Sequence, residues 1–273
     1  MSRWSHRLAW ADRAWRRATA PARDLPDFVI LGAQRSGTTS LYDWLSDHPA
    51  VVPATRKEVH YFDLHYDRGL GWYRAHFPMG HGAHLTGEAT PYLLFHPLAP
   101  ERVARDLPPT TRFVVLLRHP VQRAVSHYWH ERRMGTESET LAVAVAAEEQ
   151  RLAGADEQVR RGAASFAHLH QSYAARGRYA EQLRRWFDHV EPARILIVES
   201  ERLFVDPDAT AQVGAWLGLE ASAAPLPAKN EATRHDATDP EVLRYLEQYF
   251  APHNEDLFEL LGQRLWEGRS ASV

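Results

Sequence analysis

The strongest constraint on the fold is a short apolar segment that passes through a glycine-containing turn into a helix-like pattern. Residues 28–31 are consecutive apolar residues typical of a buried strand, whereas Leu41 and Leu45 recur at helical spacing. Between them, Gly32 and Gly37 allow the backbone to turn and to approach a ligand closely. A strand that leads directly into a helix presents backbone N–H groups to an anion at the helix start. The segment therefore predicts a phosphate-binding loop, although an ordinary turn between a strand and a helix has a similar composition.

This loop differs from the one that binds nucleoside triphosphates, where a lysine follows the second glycine and reaches the β- and γ-phosphates. Here Thr38 follows Gly37, and the cation of the loop is Arg35 instead. The arrangement suits a ligand with two phosphoryl-like groups rather than three. The residues expected to bind such a ligand through side chains or amides are Arg35, Ser36, Gly37, Thr38, Thr39 and Ser40.

A second apolar run, at residues 112–117, predicts another strand, and a helix-like pattern follows over residues 121–134. Arg118 then lies at the carboxyl end of that strand, where open parallel sheets bind their ligands. Ser126 lies two turns into the helix. An arginine with a hydroxyl is a suitable anchor for a terminal phosphate. Taken alone, Arg118 is equally consistent with a surface charge at a strand end.

A third segment, residues 57–63 with the sequence Lys-Glu-Val-His-Tyr-Phe-Asp, places ionisable groups between aromatic residues. A carboxylate such as that of Glu58 serves as a general base when an acceptor hydroxyl must lose its proton. The alternative is a solvated acidic turn that buries Tyr61 and Phe62 in the core.

Taken together, these segments resemble the motifs of sulfotransferases that use 3′-phosphoadenosine 5′-phosphosulfate (PAPS). Residues 32–41, Gly-Ala-Gln-Arg-Ser-Gly-Thr-Thr-Ser-Leu, are similar to the loop that binds the 5′-phosphosulfate. Residues 118–128 match the Arg-x-Pro-x-x-Arg-x-x-Ser-x-Tyr pattern that holds the 3′-phosphate. Residues 57–63 resemble the Glu-x-His-Phe-Phe-Asp motif of the heparan-sulfate type. The resemblance spans most of the chain, from about Asp27 to Gly262.

The resemblance implies an α/β fold, a P-loop-like three-layer sandwich with a central, mainly parallel sheet flanked by helices. The alternation of predicted strands and helices favours the same architecture. PAPS is then the co-substrate, and adenosine 3′,5′-bisphosphate is the product. The chain is predicted to be an enzyme that transfers the sulfuryl group to an acceptor hydroxyl by in-line attack.

In this family the glutamate of the third motif is the general base, and the histidine and aspartate support the acceptor site. These roles fall here on Glu58, His60 and Asp63. His60 is expected to orient Glu58 or to contact the acceptor, unless it is a core histidine satisfied by a backbone carbonyl. Arg35, expected near the bridging oxygen, and Lys57 would stabilise the charge on the leaving phosphate.

The resemblance assigns Arg118 and Ser126 to the 3′-phosphate, and a later loop to the same group. Lys229 begins this loop, at the chain position of the family's Lys-Gly-Arg-like segment. The glycine is absent, and the arginine is displaced to Arg234. Lys229 and Arg234 are therefore expected to bind the nucleotide, with a plain surface loop as the alternative.

The acceptor is not fixed by these motifs. Heparan-type enzymes commonly carry Gly-Glu-Lys before Ser/Thr-Pro, whereas this chain has Ala89 in place of that lysine. Heparan sulfate itself is thus not expected, and a carbohydrate, a lipid headgroup or a secondary metabolite with a free hydroxyl is compatible with the sequence. Glu88 either takes part in the site or braces a strand end.

Two other functions remain open. A P-loop phosphotransferase or kinase would bind ATP with magnesium, but the missing lysine after Gly37 argues against it. A non-catalytic binder of sulfated or phosphorylated ligands would keep the loop without turnover, and the presence of Glu58 disfavours it.

Charge and cysteine content limit the remaining classes. The chain has 32 basic and 35 acidic residues, so it lacks the overall positive field of a nucleic-acid-binding protein. It has no cysteine, which excludes disulfides and thiolate metal sites and is compatible with a cytoplasmic location. No metal is expected, because the chain has no His-Glu-x-x-His motif and the spacing of His127 and His130 is typical of an exposed helix face. No apolar run is long enough for a membrane span.

Two parts of the chain are expected: an N-terminal amphipathic helix and linker at residues 1–26, and a single sulfotransferase domain at residues 27–273. Tryptophans and a leucine share one face of the N-terminal helix, and arginines supply its charge. Such a helix suits contact with a membrane surface, but packing on its own domain or on a second subunit of a homodimer is preferred. The Glu- and Arg-rich stretch of residues 136–171 predicts surface helices.

Overall fold

A five-stranded parallel sheet forms the centre of the molecule. The computed structural model describes residues 12, 14–80, 82–220, 224–227 and 239–266. The strands are β1 (Phe28–Gly32), β2 (Val51–Pro53), β3 (Leu85–Ala89), β4 (Arg112–Leu117) and β5 (Ile195–Glu199). Their order in the sheet is β2-β3-β1-β4-β5, and every neighbouring pair is parallel.

Helices cover both faces of this sheet. They are α1 (Thr38–Ser46), α2 (Leu70–Arg74), α3 (Ala99–Asp106), α4 (Pro120–Met134), α5 (Leu141–Leu152), α6 (Ala155–Arg160), α7 (Phe166–His170), α8 (Tyr179–Phe187), α9 (Pro207–Leu217) and α10 (Pro240–Leu261). A helical segment at residues 14–18 precedes them.

Alternate residues of the central strand pack on opposite faces of the sheet, because successive side chains of a strand point in opposite directions. Val29 and Leu31 join one apolar cluster that includes Trp186 of α8. Phe28 and Ile30 join a second cluster that includes residues of α1 and α9. Each face of the sheet therefore packs on a layer of helices through its own apolar cluster. The predicted three-layer α/β fold is confirmed.

The connections after the strands converge at one edge of the sheet. Strand β1 lies between β3 and β4, and the chain turns into α1 after β1 and into α4 after β4. Because the strands are parallel, their carboxyl ends lie at the same edge, where open α/β sheets bind ligands. The fold thus brings the three sequence motifs to one place.

The Glu- and Arg-rich stretch forms α5 to α7 as predicted, yet it is not simply a solvated surface. Glu137 and Glu148 are each only 4% exposed. Glu148 accepts hydrogen bonds from the backbone N–H groups of Ala174 and Ala175 at 2.7 and 2.8 Å. Glu137 pairs with Arg151 at 2.6 Å. Glu148 therefore anchors the stretch to the segment that follows it, and Glu137 joins two parts of the stretch, roles that the charge pattern alone does not reveal.

The described end of the N-terminal segment contacts its own domain, which is one of the two arrangements preferred from the sequence. Arg23 donates to the backbone carbonyl of Phe77 at 2.7 Å, and its guanidinium lies 4.7 Å from the ring centroid of Trp15. Residues 1–11 lie outside the described part of the chain. Among the residues that the structure describes, no helix combines the length and the apolar character needed to cross a membrane.

Candidate active site

The loop after β1 has the backbone geometry of an anion site. Helix α1 starts at Thr38, and no capping side chain accepts a hydrogen bond from its first amides. Its N-cap, Gly37, has a φ of 80°, a conformation that favours glycine. A Cβ atom at this position would lie 2.8 Å from the ring of Phe204. The loop therefore requires glycine here, and the open amides of α1 are suited to an anion.

One cleft above the sheet edge brings the predicted motifs together. Its volume of about 440 Å³ lies within the roughly 300–1,000 Å³ typical of small-molecule sites. The predicted residues that line it are Arg35, Gly37, Thr38, Thr39, Ser40, Lys57, Glu58, Arg118 and Ser126. These residues come from three motifs that the sequence places near strand ends, and the structure brings them to one cleft.

Arginine charge is concentrated on one side of the cleft. Arg35 donates from Nε to Ser126 Oγ at 3.1 Å, and Arg118 donates from Nη1 to the backbone carbonyl of Arg35 at 3.2 Å. Burial lowers the pKa of Arg35, and the like charges of Arg133 and Arg118 lower it further, while Glu131 opposes them. Within the described parts of the chain, no carboxylate forms a salt bridge with Arg35 or Arg118. This side of the cleft therefore favours a bound anion.

The position of Arg35 refines its predicted role. The sequence predicts this arginine near the bridging oxygen of the donor, whereas its guanidinium contacts Ser126 on the side assigned to the 3′-phosphate. The residue of the phosphate-binding side that reaches Glu58 is instead Thr39, through Lys57, whose Nζ lies 3.8 Å from Glu58 Oε1. Lys57 also donates to Thr39 Oγ1 at 3.0 Å, so it links the phosphate loop to the third motif.

His60 bridges two carboxylates in this third motif. Its Nε2 lies 3.1 Å from Glu58 Oε2, and its Nδ1 lies 2.8 Å from Asp63 Oδ2. Burial alone would lower the pKa of His60, but the hydrogen bonds and charges of Asp63 and Glu58 raise it to about 10. Burial alone would raise the pKa of Glu58, yet the contact with His60 and the charges of His60 and Lys57 hold it below its ordinary value. At neutral pH the pair is therefore a carboxylate beside an imidazolium.

Two predicted residues lie beneath the cleft rather than in its lining. The carboxylate of Asp63 is fully buried, and its second oxygen accepts the N–H of Leu64 at 2.7 Å, so Asp63 reaches the site through His60. Ser36 is also fully buried, and its carbonyl accepts a hydrogen bond from Ser200 Oγ at 2.8 Å.

The predictions for Lys229 and Arg234 are not tested, since both residues lie outside the described part of the chain.

Several lining residues were not predicted. They are Gln34, Pro91, Gln122, His130, Ser200, Glu201 and Phe204. His130 lies one helical turn beyond Ser126, so the i, i+4 spacing on α4 was a usable signal for it. The expectation that His127 and His130 lie on an exposed helix face is wrong, because His127 is fully buried and 3.4 Å from Glu131.

Comparison with known proteins agrees with this geometry. The family model described as "Sulfotransferase domain" matches residues 25–238. The chain belongs to the sulfotransferase family. This match confirms the resemblance derived from the motifs and the prediction of an enzyme.

Several curated relatives are sulfotransferases that act on heparan sulfate, according to their names. The chain is 28% identical over 273 residues to human heparan sulfate glucosamine 3-O-sulfotransferase 3A1, covering 90% of this chain and 64% of that relative. It is 28% identical to mouse heparan sulfate glucosamine 3-O-sulfotransferase 6, covering 90% of this chain and 75% of the relative. The chain thus spans less than two thirds of the length of some of these relatives.

A solved structure gives the same result for the fold. A sulfotransferase from Alicyclobacillus acidocaldarius is similar with a TM-score of 0.65 and 26% identity, over 89% of this chain and 98% of that one. A sulfotransferase domain from the curacin biosynthetic pathway, at 16% identity and a TM-score of 0.50, shares the fold over 89% of this chain and 99% of that domain.

Proposed function

We propose that this protein transfers the sulfuryl group of PAPS to an acceptor hydroxyl, with Glu58 as the general base and adenosine 3′,5′-bisphosphate as the product. The observation that carries the proposal is the convergence of three groups in one cleft: the open amides of α1, the pair of Arg118 and Ser126, and Glu58. Membership of the sulfotransferase family supports the same reaction.

The residues of the cleft fit a donor that carries an anionic group at each end. The amides of α1 with the hydroxyls of Thr38 and Thr39 suit the phosphosulfate, and Arg118 with Ser126 suits the 3′-phosphate. Arg35, which belongs to the loop before α1, links that loop to the second group, because its carbonyl accepts from Arg118 and its side chain donates to Ser126. Burial, and then the like charges of Arg133 and Arg118, lower the pKa of Arg35, and a bound anion would oppose this lowering.

In the proposed reaction, the acceptor oxygen bonds to sulfur while the bond from sulfur to the bridging phosphate oxygen breaks. Glu58 takes the acceptor proton, and the electron pair of the broken bond stays on the leaving phosphate. Lys57, held on Thr39, supplies positive charge close to this step. His60 keeps Glu58 ionised, and Asp63 fixes the imidazole in turn.

We propose a glycan hydroxyl as the acceptor, because the names of the curated relatives refer to sulfation of heparan sulfate. Ala89 stands where heparan-type enzymes carry a lysine, so a saccharide other than heparan sulfate is the expected acceptor. A lipid headgroup or a phenolic metabolite is the alternative that an acceptor panel separates from a glycan.

The test is an assay with radiolabelled PAPS and a panel of oligosaccharides, glycolipids and phenols. The wild type and Glu149→Gln, a control on the exposed face of α5, should label an acceptor. Glu58→Gln should bind adenosine 3′,5′-bisphosphate but label nothing. Nucleotide binding without labelling of any acceptor would indicate a non-catalytic binder, and preferential binding of ATP with magnesium would indicate a phosphotransferase.

A further inference from the structure

A buried hydrogen-bond chain lies beneath the loop that carries Glu58. Thr90, which is fully buried, donates from Oγ1 to Glu88 Oε2 at 2.7 Å. The same oxygen accepts the N–H groups of Val59 and His60 at 3.2 and 3.4 Å. A threonine hydroxyl offers one proton and two lone pairs, so all its hydrogen-bonding capacity is used.

The second oxygen of Glu88 is also paired. Tyr73, which is fully buried, donates its hydroxyl to Glu88 Oε1 at 2.6 Å. Burial raises the pKa of Glu88 to about 7, while the hydroxyls of Tyr73 and Thr90 oppose that rise. A carboxylate in such surroundings costs free energy, which these two hydrogen bonds offset.

This chain of hydrogen bonds acts directly on the main chain of the catalytic segment. The N–H of Val59 belongs to the peptide that starts at Glu58, so Thr90 fixes the backbone from which the base projects. His60 has a φ of 59°, a left-handed conformation that is uncommon for a residue with a side chain. Its N–H also donates to Thr90, which helps to hold the conformation in which the imidazole contacts Glu58.

The hydrogen-bond chain is tied in turn to the centre of the sheet. The backbone N–H of Thr90 donates to the carbonyl of Ile30 at 3.2 Å, and Ile30 lies in the central strand β1. The segment that carries Glu58 is therefore connected to the sheet edge from which the phosphate loop also departs. A shift of Thr90 would change the position of Glu58 relative to that loop.

We propose that Glu88 and Thr90 are positioning residues, which set the place of Glu58 relative to the donor through the backbone of Val59 and His60. The inference rests on the proposed function, since it assumes that Glu58 is the base. Neither residue lines the cleft, so both act on the reaction through the loop rather than by contact with a substrate.

Three substitutions test this role. Thr90→Val keeps the shape but removes the hydroxyl, Thr90→Ser restores it, and Glu88→Gln alters the group that orients it. Thr86→Val is the matched control, because Thr86 lies on β3, which ends immediately before Thr90, is fully buried and donates its hydroxyl to the carbonyl of Val52 at 2.7 Å. That bond holds β2 and has no contact with the catalytic segment.

The kinetic readout separates positioning from a loss of stability. Thr90→Val should lower kcat about 100-fold, the size of effect expected when a catalytic group moves by about 1 Å. Adenosine 3′,5′-bisphosphate should still bind with an affinity within about threefold of the wild type, because no donor-binding side chain is changed. Thr90→Ser should recover most of kcat, and the kcat of Glu88→Gln should lie between those of Thr90→Val and the wild type. Thr86→Val should lower thermal stability without a comparable loss of kcat.

A second readout does not depend on catalysis. In Thr90→Val the amides of Val59 and His60 lose their acceptor, so their hydrogen exchange should be faster than in the wild type and in Thr86→Val. If Thr90→Val does not fold, the same exchange measurement on Glu88→Gln replaces it.

Unchanged exchange at these two amides, or an equal loss of kcat in Thr86→Val, would overturn the inference. If the wild type transfers no sulfuryl group, the proposed function fails, and the exchange result still decides whether Thr90 holds the loop.

Discussion

The two sides of the cleft differ in whether their charged side chains are paired with opposite charges. On the nucleotide side, Arg35 and Arg118 lie close together, and no carboxylate among the described residues forms a salt bridge with either of them. On the acceptor side, Glu58, His60 and Asp63 form a continuous chain of opposite charges at 3.1 and 2.8 Å. On the first side the two arginines are not paired with a carboxylate among the described residues, although Glu201 and Glu131 lie near enough to act on them, whereas the charges of the second side are already paired.

This difference matches the two tasks of a bisubstrate enzyme. A donor with phosphate groups supplies the charge that the arginine side lacks, so its binding is expected to depend on these cations. In the proposed reaction the acceptor side receives a neutral hydroxyl and has only to accept its proton, which a carboxylate already in place would do without rearrangement. Changes on one side should therefore affect binding, and changes on the other should affect turnover.

The largest effect is expected on turnover at Glu58. Glu58→Gln should lower kcat by about 10²- to 10⁴-fold, the usual contribution of a general base. The affinity for adenosine 3′,5′-bisphosphate should change little, because the arginine side is intact. Initial-rate kinetics and calorimetric titration measure the two quantities. A loss of nucleotide affinity as large as the loss of kcat would show that the two sides are not separate.

The next effect is expected on binding at Arg118. Arg118→Ala should weaken adenosine 3′,5′-bisphosphate about 10- to 100-fold, since a hydrogen bond to a charged group contributes about 1.5–3 kcal/mol. The preference for this nucleotide over adenosine 5′-monophosphate, which lacks the 3′-phosphate, should disappear in the variant. Arg161→Ala, which removes an arginine whose side chain is 76% exposed, is the control. Equal weakening of both nucleotides would place Arg118 elsewhere than at the 3′-phosphate.

A smaller effect is expected on the pH dependence of turnover. His60 holds the pKa of Glu58 below its ordinary value, against the effect of burial. In His60→Asn the burial effect remains and the imidazolium is gone, so the acid limb of kcat/KM should move to higher pH. Rate profiles from pH 4 to pH 8 compare the variant with the wild type. An acid limb at the same pH in both proteins would mean that Glu58 is not the group that titrates.

The last effect is expected on the stability of the protein without ligand, where no substrate or nucleotide is involved. The pKa of His60 is about 10 in the folded protein and about 6.5 in an unfolded chain. Its contribution to the free energy of unfolding is therefore complete below pH 6.5 and is lost as the pH rises towards 10. Urea denaturation across this range should show a slope that His60→Asn reduces. An identical slope in both proteins would contradict the ionic contacts of His60.

Short sequence patterns correctly predicted the features of the structure that depend on neighbouring residues. The apolar runs of β1 and β4 and the glycine turn before α1 each depend on neighbouring residues, so the sheet edge and its anion loop followed directly. Residues 57–63 were correctly grouped for the same reason.

Contacts between residues far apart in the chain could not be predicted from the sequence. Thr90 contacts Val59 across 31 positions, and no pattern in either segment indicates that one hydroxyl holds the other segment's amides. The burial of His127 and Ser36 depends on which side of a helix or loop the rest of the domain covers, and a helical histidine pair looks the same in either case. The contact of Arg35 with Ser126 likewise depends on how β1 and β4 are placed in the sheet.

A crystal structure of the complex with adenosine 3′,5′-bisphosphate would show whether one cleft holds both ends of the nucleotide. We expect the 5′-phosphate on the amides at the start of α1 and the 3′-phosphate on Arg118 and Ser126, with Glu58 facing the 5′-phosphate end. A nucleotide bound in the opposite direction, or outside this cleft, would contradict this expectation.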